Sequence, residues 1–198
     1  MSARADPPYL WRDIMIATAW RNWYHCTVGT YAQWLPGDKR GWRERDHHEH
    51  VDGDYKTPPP PSEFHARRWQ YSKCIMKGEP YLIAPADRKT IGCLLLETFT
   101  LQRIPILALA VGATHFHALV QCENNRPNPI LGHAKKHVMF NFSPISDATS
   151  RTRQKLWEGE SGVKPIMCRP HGVAVYHYIL DHAGKEGAWV WSFRNIPS

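Results

Sequence analysis

The sequence predicts an α+β fold, with a central antiparallel sheet flanked by helices. Three observations lead there. Short apolar stretches of strand composition alternate with longer stretches whose apolar residues recur at three and four. Two of the strand-like stretches, 104–112 and 113–121, follow each other closely enough to pair as an antiparallel hairpin. The order then reads strand, helix, strand, strand, helix, strand, helix, which places helices on one or both faces of a sheet. At 198 residues the chain is long enough for one domain with a real core.

Each element has a local reason. Residues 1–23 read as an N-terminal arm, in which RADPPYLWRDIMIATAWRNW (4–23) has room for a helical turn or more. YHCTVGTY (24–31) has strand composition. LPGDKRGW (35–42) carries turn chemistry through Pro36-Gly37 and Arg40-Gly41. Polar RERDHHEHVDGDY (43–55) and the prolines of KTPPPP (56–61) read as an exposed excursion. With the basic, aromatic FHARRWQYSKCIMK (64–77) they form an insertion at about 43–80 in a domain spanning 24–198. PADRKTIGCLLLETFTLQR (85–103) predicts a helix: Pro85, Ala86 and Asp87 suit its start, and Ile91, Leu94, Leu95 and Phe99 make one apolar stripe. IPILALAVG (104–112) predicts a buried strand, with 113–121 as its hairpin partner. PILGHAKKHVMFNFSP (129–144) predicts a helix with Lys135, Lys136 and His137 on a basic face. KPIMCRPHG (164–172) predicts a short strand and turn, and a last helix runs from about Val173 to Ala183, closed by Gly184.

Charge and ring content bound the function. Lys plus Arg exceed Asp plus Glu by 25 to 18, a net charge of +7 that favours an anionic partner. Nine Trp, eight Tyr and twelve His offer flat rings beside that charge, suited to stacking on unpaired bases or to filling a core. The basic residues to track phosphates are Lys39, Arg40, Arg43, Arg45, Arg67, Arg68, Lys73, Lys135, Lys136, Arg151, Arg153 and Lys155, each equally suited to a solvated face. Trp34, Trp42 and Trp69 are the matching stacking candidates. Five cysteines, none in a C-x-x-C pair, argue against a disulfide framework or a cysteine zinc site. With no 18-residue apolar run and no signal peptide at the start, the expectation is a soluble cytoplasmic protein with no membrane partner.

The chemistry concentrates in ATHFHALVQ (113–121). Strand side chains alternate, so His115 and His117 share a face with Leu119 and Gln121. Two imidazoles so placed are metal ligands, or else one core and one surface histidine. On the last helix Tyr178 and His182 lie four apart, on one face. Tyr176 lies about 200° round from Tyr178 and cannot share it. If that helix crosses the histidine strand, three imidazoles and a phenol converge. A metal there polarises a phosphate oxygen while the phenolate attacks phosphorus. The tract DHHEH (46–50) has metal-like composition too, but reads better as a solvated loop. Glu97 and Glu123 are acidic groups with no distinguishing context.

THFHALV and the Tyr-Ile of YHYILDH resemble the HUH single-tyrosine transposases, the small insertion-sequence enzymes and their REP-associated relatives. TYAQWLPGDKRGW and HGVAVYHYILDHAGKEGAWVW are similar to one subgroup, and the resemblance extends over most of 24–191. It implies a ferredoxin-like (RRM-like) HUH fold, with the histidine pair on a middle strand and the tyrosine on a C-terminal helix. It implies Mg²⁺ or Mn²⁺ on His115 and His117, and Tyr178 as the nucleophile; on the residues alone, Tyr176 is the alternative nucleophile. The implied reaction nicks single-stranded DNA beside a hairpin, leaving a 5′-phosphotyrosine and a free 3′-hydroxyl. Four residues after the tyrosine the family usually has Gln or Asn as third ligand; here stands His182, a set that also suits Mn²⁺, Zn²⁺ or Ni²⁺. The implied partner is hairpin-bearing single-stranded DNA, the implied setting the nucleoid, and the protein a monomer or homodimer. A domesticated, non-cleaving hairpin binder is the alternative from another class, and an RNA-directed binder is a third.

Overall fold

The computed structural model describes residues 20–33, 35–38, 63–123, 126–142 and 155–193. Among the described residues five strands and four helices follow in order: β1 (Trp23–Gly29), α1 (Glu63–Cys74), α2 (Pro85–Leu101), β2 (Ile106–Val111), β3 (His115–Gln121), α3 (Pro127–Asn141), β4 (Gly162–Pro165), α4 (Arg169–Glu186) and β5 (Trp189–Ser192). All pairings are antiparallel, in the spatial order β4-β1-β3-β2-β5. The fold is therefore α+β as expected, and β3 is the middle strand.

Two apolar layers sandwich the sheet. On one face Ile91, Leu95 and Phe99 of α2 and Leu131, Ala134 and Val138 of α3 pack over Val28, Phe116, Ala118 and Val120. The stripe predicted for α2 is the buried one, with Leu94 at its edge. On the other face Val175, Tyr176 and Ile179 of α4 pack over Leu107, Ala108, Ala110 and Leu119. Sheet residues are buried from both sides, which explains why β2 reads as a continuous apolar run instead of an alternating one. A register shift between Ile106 and Ala108 lets neighbours Leu107 and Ala108 serve the same layer.

Helix α4 crosses the sheet. It leaves β4 at one edge through residues 166–168 and enters β5 at the other through 187–188. Its 18 residues span about 27 Å. The sheet's five strands are roughly 19 Å across, so the helix is long enough to pass over the middle strand on the way.

Three expectations need correcting. α4 does not end at Gly184, which lies inside it; it runs to Glu186 and closes at Gly187 in the left-handed conformation, φ 60°. Residues 189–192 form β5, a strand absent from the expected order. Part of the expected excursion is helix α1, with Glu63 in its first turn and Lys73 in its last, both favoured by the helix dipole. α1 docks through Ser72, whose hydroxyl donates to Pro36 O, and through Gly37 at φ 88°, where a Cβ would strike the backbone of His65 and Trp69. The arm up to residue 19, the DHHEH tract, Trp34, Lys39, Arg40, Trp42, Arg43, Arg45, Arg151 and Arg153 lie outside the described residues. No described helix is long and apolar enough to cross a membrane.

Candidate metal centre

Strand β3 and helix α4 bring the site together. Alternation on β3 sends Phe116 and Ala118 into the α2–α3 layer and His115 and His117 toward α4. On α4, Tyr178, His182 and Glu186 recur every fourth residue and form a stripe along one side. Ring centroids lie 4.6 Å apart for His115–His117 and for His117–His182, and 5.7 Å for His115–His182. One ring nitrogen from each histidine lies within 4.8 Å of those of the other two. Among the described residues this is the only group of three or more His, Cys, Asp or Glu side chains close enough to hold one metal ion.

Hydrogen bonding decides which nitrogens are free. His182 Nδ1 donates to Tyr178 O at 2.8 Å, which leaves the Nε2 lone pair available. His115 Nδ1 bonds Thr114 Oγ1 at 2.9 Å. His117 Nδ1 has two partners, His25 Nε2 and Thr27 Oγ1, each at 3.0 Å. His117 Nε2 is buried and has none. A buried polar atom left unsatisfied costs about 1–3 kcal/mol, so this one calls for a partner. Outer bonds on Nδ1 with Nε2 free are the pattern of imidazoles held to ligate a metal. On an ion with bonds of about 2.1 Å two nitrogens stand at most about 4.2 Å apart, so a small inward shift from separations within 4.8 Å brings all three onto one ion. The residues therefore fit a divalent metal, and three nitrogen donors suit Mn²⁺ or another transition ion better than Mg²⁺.

Electrostatics agree with the ligand state. Burial, reinforced by the neighbouring His115, His25 and His182, pulls His117 down to about 2. Burial, then Lys164, His171 and His182, pull His25 down to about 4. His115 is lowered by burial against the opposing pull of Glu186. All three are neutral at pH 7, as metal ligation and its outer shell require.

Tyr178 stands at the open rim. Its side is 45% exposed, yet its ring lies edge-on to His182 at 4.7 Å, to His117 at 5.4 Å and to His25 at 5.7 Å. Tyr176, by contrast, is buried, and its hydroxyl donates to Phe193 O at 3.0 Å.

The other candidates fall elsewhere. Glu97 pairs with His137 at 3.2 Å between α2 and α3, across the sheet from the histidine cluster. Arg67, Arg68, Trp69 and Lys73 all lie on α1, where Arg67 pairs with Glu63 at 3.0 Å and Lys73 lies 4.6 Å above the Trp69 ring. Lys135 Nζ donates to Glu158 O at 3.1 Å and Gly159 O at 2.8 Å, clasping the segment before β4. With exposed Lys136, Lys155 and Phe140, half-buried Met139 and the buried Trp157 it lines an open groove of about 770 Å³, on the α3 side of the sheet. Sequence reasoning missed two residues at the metal centre. His25 braces His117 from β1, and Glu186 Oε2 lies 3.9 Å from His115 Nε2. Period-two alternation through YHCTV does put His25 and Thr27 on one face, but only the strand register sets Thr27 opposite His117.

No family model matches this chain, and no curated protein or solved structure matches it either. The chemistry of the site is carried by its own geometry.

Proposed function

We propose that this chain is a metal-dependent enzyme of the HUH single-tyrosine type, which nicks and transfers single-stranded DNA beside hairpins through a 5′-phosphotyrosine. The observation that carries this reading is the position of Tyr178. A solvent-accessible phenol shares a helix face with His182 and sets its ring against His117, at the edge of three converging imidazoles. A structural tyrosine on such a helix would turn into the core, as Tyr176 does.

In the proposed reaction the Tyr178 oxygen gives up its proton to solvent and attacks the phosphorus of the strand. The Tyr–O–P bond forms, the P–O3′ bond breaks, and the departing 3′ oxygen takes up a proton. Phosphoester bonds are conserved, so a 3′-hydroxyl can reverse the step and rejoin ends. His115, His117 and His182 would hold the divalent ion, which when bound supplies Lewis-acid polarisation of a non-bridging phosphate oxygen. His25 and Thr27 hold the His117 ring in register for that task. The net charge of +7 supports an anionic substrate. The proposed setting is the cytoplasm, in association with the nucleoid, with the protein acting as a monomer or homodimer.

The test is covalent capture. Labelled single strands flanking a hairpin are incubated with the protein and Mn²⁺ and run on a denaturing gel. Wild type should give a protein–DNA adduct. Tyr178→Phe should abolish it and leave DNA binding largely intact, because the ring and its contacts with His117 and His182 remain. An adduct that survives Tyr178→Phe sinks the nucleophile assignment. Binding without any adduct in wild type would make the chain a non-cleaving hairpin binder instead.

A further inference from the structure

We infer that Glu186 is the fourth protein ligand of the ion held by His115, His117 and His182, an inference that rests on the metal reading above. Glu186 continues the Tyr178–His182 stripe by one more turn and is the last residue of α4. Its Oε2 lies 3.9 Å from His115 Nε2, the nitrogen left free by the Thr114 bond. Two ligand atoms on one ion stand at most about 4.2 Å apart, so this pair is already close enough; as placed the carboxylate does not join the group of all three histidines, and it has to swing in toward His117 and His182 to complete the set.

Three further features point to the same role. Gly112, in the turn between β2 and β3, makes room for the carboxylate: a Cβ there would lie 3.2 Å from Glu186 Oε2. Arg88 fixes the helix end without neutralising that carboxylate, because its Nη1 donates to the main-chain Glu186 O and Gly187 O at 3.2 and 2.7 Å. A carboxylate in the last helical turn also faces the negative end of the helix dipole and weakens the helix. A cation beside it reverses the sign of that effect. Three imidazoles bind as neutral donors, so Glu186 brings the negative charge that a half-buried dication needs.

The full chain, stripped of metal with a chelator and without DNA, is titrated with Mn²⁺, and the free ion is read by its electron paramagnetic resonance signal. Removing an outer-shell partner typically weakens metal affinity 10–100-fold, so Glu186→Gln should raise the Kd about tenfold or more. The metal-free variant should melt at the wild-type temperature or slightly above it, which a merely structural His115–Glu186 contact would not allow. Gly112→Ala should shift the Kd in the same direction by less. An unchanged Kd in Glu186→Gln, while His117→Ala no longer binds, overturns the inference and leaves the metal centre standing. Wild type that binds no Mn²⁺ overturns both. Weakened Mn²⁺ binding in Glu186→Gln supports the inference even if wild type forms no DNA adduct, a result that counts against the nicking activity alone.

Discussion

At His117 the two ring nitrogens have opposite fates: Nδ1 is doubly hydrogen-bonded and Nε2 is buried with no partner. A neutral imidazole carries one proton. If it sits on Nδ1, pointing at His25 and Thr27, the Nε2 lone pair faces the cluster. His25 is thus a positioning residue, fixing tautomer and ring angle through one bond. Replacing it with Phe removes that acceptor but leaves Thr27 in place. Mn²⁺ affinity of His25→Phe should therefore fall by about tenfold, the low end for an outer-shell loss, as measured by calorimetric titration. Unchanged affinity would show that Thr27 alone holds the ring. His115, His117, Tyr178 and His182 are legible in the sequence because their spacings are local: two along a strand, four along a helix. His25 is not, since its partnership depends on a register between strands some ninety residues apart. Glu186 is hidden for another reason: ending the helix at Gly184 takes it off the face it shares with His182.

Two of the helices accept a tryptophan against a glycine. A Cβ on Gly92 of α2 would lie 2.1 Å from the Trp189 ring, and one on Gly172 of α4 would lie 2.0 Å from the Trp20 ring. Both rings lie where a larger residue would collide, so these glycines are fixed by packing. Gly92→Ala should destabilise by about 1–3 kcal/mol, as overpacking of a fitted contact does. Gly132, inside α3, is the control: nothing lies within 4 Å of its added Cβ, and alanine there should stabilise by up to about 1 kcal/mol through helix propensity. Thermal melts of the two variants should move in opposite directions. The Trp189 contact also explains why β5 is hard to foresee. It is a four-residue strand whose pairing with β2 and packing on Gly92 are both tertiary. α1 is hidden likewise, because only Ser72 of its twelve residues is buried, so no apolar stripe marks it. The longer α2, α3 and α4 bury residues at three- and four-residue spacing and are legible to within a few residues.

Over the whole molecule, the sheet holds a group of neutral imidazoles where water would hold them partly charged. His117 at about 2 and His25 at about 4 lie below the ordinary histidine value of 6.5. Below pH 6.5 the unfolded chain takes up protons at these positions and the folded chain does not. Stability is therefore full above pH 6.5 and falls as pH drops. Both histidines contribute down to about pH 4, and His117 alone below that. The slope is at most about 1.4 kcal/mol per pH unit from His117 and less from the partly exposed His25. Metal-free protein should melt at progressively lower temperature from pH 7 to pH 4, and the double variant His25→Phe, His117→Phe should show a flatter profile; equal slopes would refute the assignment. Sheet order and the course of α4 have a consequence for assembly. The span that carries the phenol is tied to both outermost strands, by three residues at one end and two at the other. Lending it to a neighbouring copy as a loose arm would strain or peel away β4 and β5 as well and would carry His182 along with Tyr178. In the proposed reading, Tyr178 and the three imidazoles are therefore supplied by one and the same polypeptide.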